Sequence, residues 1–227
     1  MRSIAENIYV AEQPLCMLGI EYGARMTVIR LSNHDLVVIS PIALNESLKQ
    51  KINSIGTVKY LVAPSSFHHL FIKPWTEKYT WANLLMVPQI AKKRKDLQAT
   101  SVLNQSFNAP WTEELLPLFI PGGKLYSEMV FLHRSSRTLI LTDLCFNLQE
   151  ANSLFARCAL SIYGIYKKFG PSKAVGMFMG KKVALKEAID RIAAWDFQRV
   201  VMAHGEILEN TTPKDFKSSF DQMLKGV

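Results

Sequence analysis

Tyr60-Leu61-Val62-Ala63-Pro64-Ser65-Ser66-Phe67-His68-His69-Leu70 opens as the end of an apolar run and closes as a polar loop. Tyr60, Leu61 and Val62 are strand-forming residues. Pro64 and the two serines break that pattern. Two adjacent imidazoles follow, in a chain with five histidines in all. Open α/β sheets carry functional groups on loops at the carboxyl ends of their strands, so the stretch predicts a strand that delivers metal ligands. Just upstream, Asn45 caps an expected helix over residues 46–54, with Leu44, Leu48, Ile52 and Ile55 at helical spacing along one side. Gly56 is expected to stop it. Before that helix, Leu36, Val37, Val38 and Ile39 form an aliphatic run ended by Ser40-Pro41. Strand, helix, strand and polar loop in this order make a β-α-β unit with parallel strands.

Further out, residues 7–10 and 26–31 read as strands, and Ser32-Asn33-His34-Asp35 as a turn with His34 solvated at its tip. Downstream come a short helix over 70–79, a strand over 84–87 and a basic helix over 88–97. Residues 101–110 are polar and irregular, with Trp111 as an anchor, and mark where two halves, about 1–112 and 113–227, meet in a single domain. The second half offers a strand over 115–120, a turn at Pro121-Gly122-Gly123, and a hairpin of residues 129–133 and 138–142 that ends in Asp143. A long helix is predicted over 150–169. Its apolar residues lie all round, which predicts burial or a homodimer interface. An amphipathic helix over 182–195 and a strand over 199–202 follow, the strand ending in Ala203-His204-Gly205. A last helix starts with Thr212 as cap and Pro213 in its first position. Loops 15–25, 101–111 and 171–181 are expected to line any pocket.

The chain has 227 residues, 48% hydrophobic and 20% charged, with a formal net charge of +8. The excess favours anionic partners without selecting one. Lys92-Lys93-Arg94-Lys95 lacks interleaved aromatics, so a solvated helix face is expected there and nucleic-acid binding is not. Cys16, Cys145 and Cys158 make neither a disulfide framework nor a paired-cysteine zinc motif. That usage, no signal-peptide core in residues 1–12 and no apolar run of membrane length predict a cytoplasmic protein.

Three predicted strands thus end in candidate ligands: His68 and His69 after Val62, Asp143 after Thr142, and His204 after Met202. Three imidazoles and one carboxylate suit zinc, or iron or manganese, with room for a water. A lone histidine in a loop is more often a hydrogen-bonded structural residue. The reading rests on three strand ends converging.

The wording of these segments resembles the metallo-β-lactamase-like fold superfamily, and more closely a divergent branch of it of unknown function. The resemblance runs through Ser40-Pro41-Ile42, Ala63-Pro64, Phe67-His68-His69-Leu70-Phe71, Thr138-Leu139-Ile140-Leu141-Thr142-Asp143-Leu144, Trp195-Asp196-Phe197 and Ala203-His204-Gly205. It implies a four-layer αββα sandwich with mixed sheets. The superfamily's loop, His-x-His-x-Asp-His, corresponds to residues 64–69. Pro64 and Ser66 stand where its first two histidines would be, His68 stands for its aspartate, and His69 keeps its last histidine. Gly123 stands where a turn histidine would be. The resemblance therefore implies that the first of two metal positions is lost. The second would survive as a single-metal site of His68, His69, Asp143 and His204, with Ser65, Ser66 and Thr142 orienting ligands or water. The implied function is a metal-dependent hydrolase-like protein with a reduced site and one zinc ion, or iron or manganese, acting on a small-molecule or anionic substrate. The alternative is a catalytically inactive protein of this fold, without metal, serving as a binding or structural module.

Overall fold

Runs of aliphatic and β-branched residues build two mixed sheets in the computed structural model, which describes residues 1–180 and 182–226. The chain begins with β1 (Arg2–Ala5) and β2 (Ile8–Gln13), makes a separate small hairpin of β3 (Cys16–Met17) and β4 (Ile20–Glu21), and returns as β5 (Ala24–Arg30) and β6 (Asp35–Ile39). Helix α1 (Glu46–Asn53) crosses to β7 (Thr57–Ala63), which lies parallel to β6. Then come α2 (Ile72–Lys78), β8 (Asn83–Met86), α3 (Pro88–Lys93) and β9 (Ser101–Val102). The first sheet has the order β1-β2-β5-β6-β7-β8-β9, antiparallel up to β6 and parallel beyond it. The expected β-α-β unit is β6-α1-β7. Asn45 caps α1 by accepting from the Leu48 amide at 2.8 Å. Gly56 serves by its size: a Cβ there would lie 2.3 Å from the His34 carbonyl oxygen.

The second sheet holds β10 (Leu115–Gly122), β11 (Tyr126–His133), β12 (Thr138–Ile140), β13 (Arg199–Val201) and β14 (Leu208–Glu209), in that order. Only the β12–β13 pair is parallel. Its helices are α4 (Leu154–Ile162), α5 (Lys173–Phe178), α6 (Lys182–Ala193), α7 (Pro213–Ser218) and α8 (Asp221–Leu224). Thr212 closes a capping box with Asp215 at the start of α7, as its sequence predicts.

Side-chain alternation along the strands makes the layers. Met129, Phe131, Ile140 and Val201 point into one core with the first sheet and with Ile52, Trp75 and Ile90 of its helices. Their neighbours Val130, Leu132, Leu139 and Val200 join a second core with Ala156, Leu160, Leu185 and Phe216 of α4, α6 and α7. The result is the αββα sandwich.

The helix expected over 150–169 is shorter. Ser153 caps it, accepting from the Ala156 amide at 3.0 Å, and it ends before Gly164, whose φ is +76°. Residues beyond leave the helix because their backbone pairs elsewhere: Tyr166 bridges to Leu148, and Gly170 to Phe146. Nor is the helix buried all round, since Leu154, Phe155 and Ile162 are exposed. Of the expected loop 171–181, residues 173–178 form α5, and Lys181 lies outside the described residues. Among the described residues no helix is long and apolar enough to cross a membrane.

Candidate metal centre

The loop after β7 is tied to the other sheet. Pro64 accepts from the Met129 amide at 2.7 Å, the Ser66 amide donates to the Ser127 carbonyl at 3.3 Å, and the Ser66 hydroxyl accepts from the Ser127 amide at 3.1 Å. Ser65 bridges to Glu128. Pro64 and Ser66 thus stitch the loop of one sheet to β11 of the other. This stitching fixes where the next side chains point. The Ser65 hydroxyl donates to Asp143 Oδ2 at 2.5 Å, and His68 Nε2 lies 3.2 Å from Asp143 Oδ1. His68 is held from behind by the Ser40 hydroxyl, 2.6 Å from its Nδ1. Ser40 follows β6 with a left-handed φ of +55°, a conformation uncommon outside glycine.

Asp143 sits three residues beyond β12, and a buried glutamate shapes its turn. Glu128 accepts from the backbone amides of Thr142 (2.5 Å), Asp143 (3.0 Å) and Leu144 (2.9 Å), and from the Tyr126 hydroxyl. Burial and the neighbouring Asp143 push the Glu128 carboxyl up to about 7, against the pull of the Tyr126 hydroxyl and the Thr142 amide. Burial also raises Asp143, but His68 and His204 outweigh it and hold this carboxyl well below the usual carboxylate range. The Thr142 hydroxyl is buried and has no hydrogen-bond partner, so it orients neither ligand.

His204 follows β13. Its Nδ1 donates to the Gly23 carbonyl at 2.7 Å, its ring stacks on Phe146 at 5.5 Å and 10°, and its Nε2 lies 3.5 Å from Asp143 Oδ1. Arg25 braces the segment by donating to the carbonyls of Met202 and Gly205, both at 2.6 Å. Gly205 has φ +81°, and a Cβ there would meet the Asn147 carbonyl oxygen at 2.1 Å. Gly205→Ala should lower the unfolding midpoint by about 5–15 °C, since backbone strain and a clash act together. A thermal melt matching wild type would contradict this placement of His204.

The structure therefore brings His68, Asp143 and His204 together, with one ligand atom of each within 4.8 Å of the others. His69 does not join them. Its ring nitrogens face Lys93 (3.3 Å) and Arg94 (3.2 Å), and Arg94 also donates to its carbonyl oxygen. Burial, then these two cations, lower the His69 pKa. Of the four expected ligands, the structure thus groups His68, Asp143 and His204 and sets the His69 ring apart from them. The end of α3 claims the His69 ring, and the strand-end turn leaves His68 facing Asp143.

The donor set fits a cation. A carbonyl only accepts, so His204 Nδ1 carries a hydrogen. In the neutral ring Nε2 then offers a lone pair towards an ionised carboxylate. Two imidazoles and one carboxylate, with the rear nitrogens bound to a carbonyl and a hydroxyl, are the donors and outer partners of catalytic zinc and non-haem iron sites. A cleft of about 360 Å³ adjoins the centre at Tyr22, Gly23 and Gly205, and Glu21, Glu150 and Glu206 also line it.

Glu128, Arg25 and Ser40 were not singled out as functional from the sequence. A signal existed for two of them. Glu128 is the one acid in the apolar run of β11, and Arg25 is one of two cations, with Arg30, that bracket the aliphatic stretch of β5.

An αββα sandwich with this histidine–aspartate–histidine group at its strand ends is the metallo-β-lactamase fold. A metallo-β-lactamase from Pontibacter korlensis is similar over 100% of this chain and 98% of its own, with a TM-score of 0.67 and 14% identity. A fragment of diflavin flavoprotein A 5 from Nostoc sp. PCC 7120 is similar over 98% and 93%, with a TM-score of 0.69 and 12% identity. The flavodiiron protein from Giardia intestinalis matches 99% of this chain with 59% of its own, at a TM-score of 0.63 and 13% identity. At such identities the likeness is one of fold. Within that fold, the chain belongs to the family described as Domain of unknown function (DUF4336), which matches residues 5–161 and so includes His68 and Asp143. No curated protein matches it.

Proposed function

We propose that this chain is a metal-dependent hydrolase with a reduced site, in which His68, Asp143 and His204 hold one zinc or ferrous ion. The observation that carries the reading is the convergence of His68, Asp143 and His204, one ligand atom of each within 4.8 Å of the others, with His204 Nδ1 turned to the Gly23 carbonyl so that Nε2 is the nitrogen facing Asp143. A divalent ion held there would polarise a carbonyl or phosphoryl oxygen and lower the pKa of bound water. The chain's own residues supply the rest. Ser65 occupies Asp143 Oδ2 and leaves Oδ1 to face the imidazoles. Ser40 and Gly23 fix the two rings, and Phe146 walls off His204 on one face. The engagement of Pro64 and Ser66 with β11 supports loss of the family's other metal position. The carboxylates of the adjoining cleft favour an uncharged or cationic small molecule over an anionic one.

A second reading has an observation of its own. If Ser40 donates to His68 Nδ1, His68 Nε2–H donates to Asp143, and the group closes on its own hydrogen bonds without any ion. The protein would then be an inactive binding module. Screening metal-loaded protein against esters, thioesters, lactones and phosphodiesters separates the two. Turnover of at least one class is expected, with a loss of about 100-fold or more in His204→Ala. A metal-loaded protein inert towards all four classes would sink the hydrolase reading.

A further inference from the structure

The helices over the second sheet carry a surface that the metal centre does not use. From residue 151 to residue 186 the sequence has seven basic residues, six of them lysine, and no aspartate or glutamate. The rest of the chain holds 20 basic against 19 acidic residues, so this segment carries nearly all of the net charge of +8. It also holds seven of the fourteen large apolar side chains exposed among the described residues. Leu154, Phe155 and Ile162 of α4 are 64–70% exposed, Met177 of α5 74%, and Val183 at the start of α6 61%. Ala156, Leu160, Val175 and Leu185 of the same helices are buried in the core beneath the second sheet, so the exposed set faces away from it. Two hydrogen bonds link parts of this surface. The Lys173 amide donates to the Tyr163 carbonyl at 3.0 Å and joins α5 to the end of α4. Asn152 donates to the Gly19 carbonyl at 3.3 Å and brings up the β3–β4 turn, where Leu18 is 92% exposed.

We infer that this face is a docking surface for an anionic lipid membrane. Aliphatic side chains among lysines, with no acid anywhere in residues 151–186, are what an interfacial surface needs: the apolar groups enter the headgroup boundary and the lysines pair with anionic lipids. A second copy of the chain fits the face poorly, because a two-fold contact would set like charges against one another. A nucleic acid fits poorly as well, because Leu154, Ile162, Met177 and Val183 find nothing to contact on a phosphate backbone and one arginine is a small share for such a surface.

Co-sedimentation of the full chain with vesicles tests this, using phosphatidylcholine alone and phosphatidylcholine with one third phosphatidylserine. Binding to the serine-containing vesicles is expected to exceed binding to the neutral ones by about tenfold or more at low salt, and to weaken by a similar factor at about 0.5 M salt. The charge reversal Lys167→Glu with Lys168→Glu, and separately Phe155→Ser with Ile162→Ser, should each cost about tenfold or more while the unfolding midpoint stays that of wild type. His204→Ala should bind as wild type, since the surface does not need the metal centre. Absence of vesicle binding, equal binding to neutral vesicles, or indifference to both double substitutions overturns the assignment. A dimer abolished by Ile162→Ser, or retention of single-stranded RNA, in a chain that ignores vesicles would overturn it in favour of those partners.

Discussion

Glu128→Ala is expected to destabilise the protein by about 4–6 kcal/mol, lowering its unfolding midpoint by about 10–20 °C. Glu128 is fully buried and gathers three consecutive backbone amides and the Tyr126 hydroxyl around one carboxylate. Removing it leaves those amides without an acceptor in a site that water does not reach. Each unmet buried group costs about 1–3 kcal/mol, and the cavity adds to that. The sum approaches the whole stability of an ordinary domain, about 5–15 kcal/mol. Glu128→Gln keeps one acceptor oxygen but turns an NH2 group towards the amides, so it should fall between. Urea unfolding of the three proteins is the check. A Glu128→Ala midpoint close to wild type would mean that the turn around Asp143 is held by something else.

Asp143→Asn should leave the fold standing and remove the metal. The amide still accepts from Ser65 and faces His68, so packing changes little. The ligand set, however, loses its one negative charge. Replacing an outer partner of a metal ligand costs 10–100-fold in affinity, and loss of the only anionic ligand should exceed that, at about 100-fold or more. A metal titration followed by calorimetry reads this directly. Undiminished affinity in Asp143→Asn would move the ion elsewhere.

Local signals made much of the fold legible. The β6-α1-β7 unit follows from aliphatic runs, a helical stripe and the Asn45 cap, all within thirty residues. The last helices follow from Thr212-Pro213. Legibility failed where distant backbone decides. Residues 165–170 look helical by composition, yet pairing with residues 146–148 pulls them out. Of two adjacent histidines, nothing local says which one turns inward. The resemblance placed His69 at the ligand position, whereas the Lys93 and Arg94 side chains at the end of α3 hold its ring. Glu128 was hidden for a similar reason, since its partners are amides 14 to 16 residues further along, on a turn with no side-chain signature.

The most direct measurement is the metal content of the purified chain after equilibration with zinc or ferrous iron, set beside His69→Ala and His204→Ala. One equivalent is expected in wild type and in His69→Ala, and a loss of about tenfold or more in His204→Ala. The metal-bound chain should melt about 5–10 °C above the metal-free one at a hundredfold excess over Kd. Less than about a tenth of an equivalent with no thermal shift, or binding that His69→Ala abolishes and His204→Ala spares, would contradict a single-metal centre of His68, Asp143 and His204.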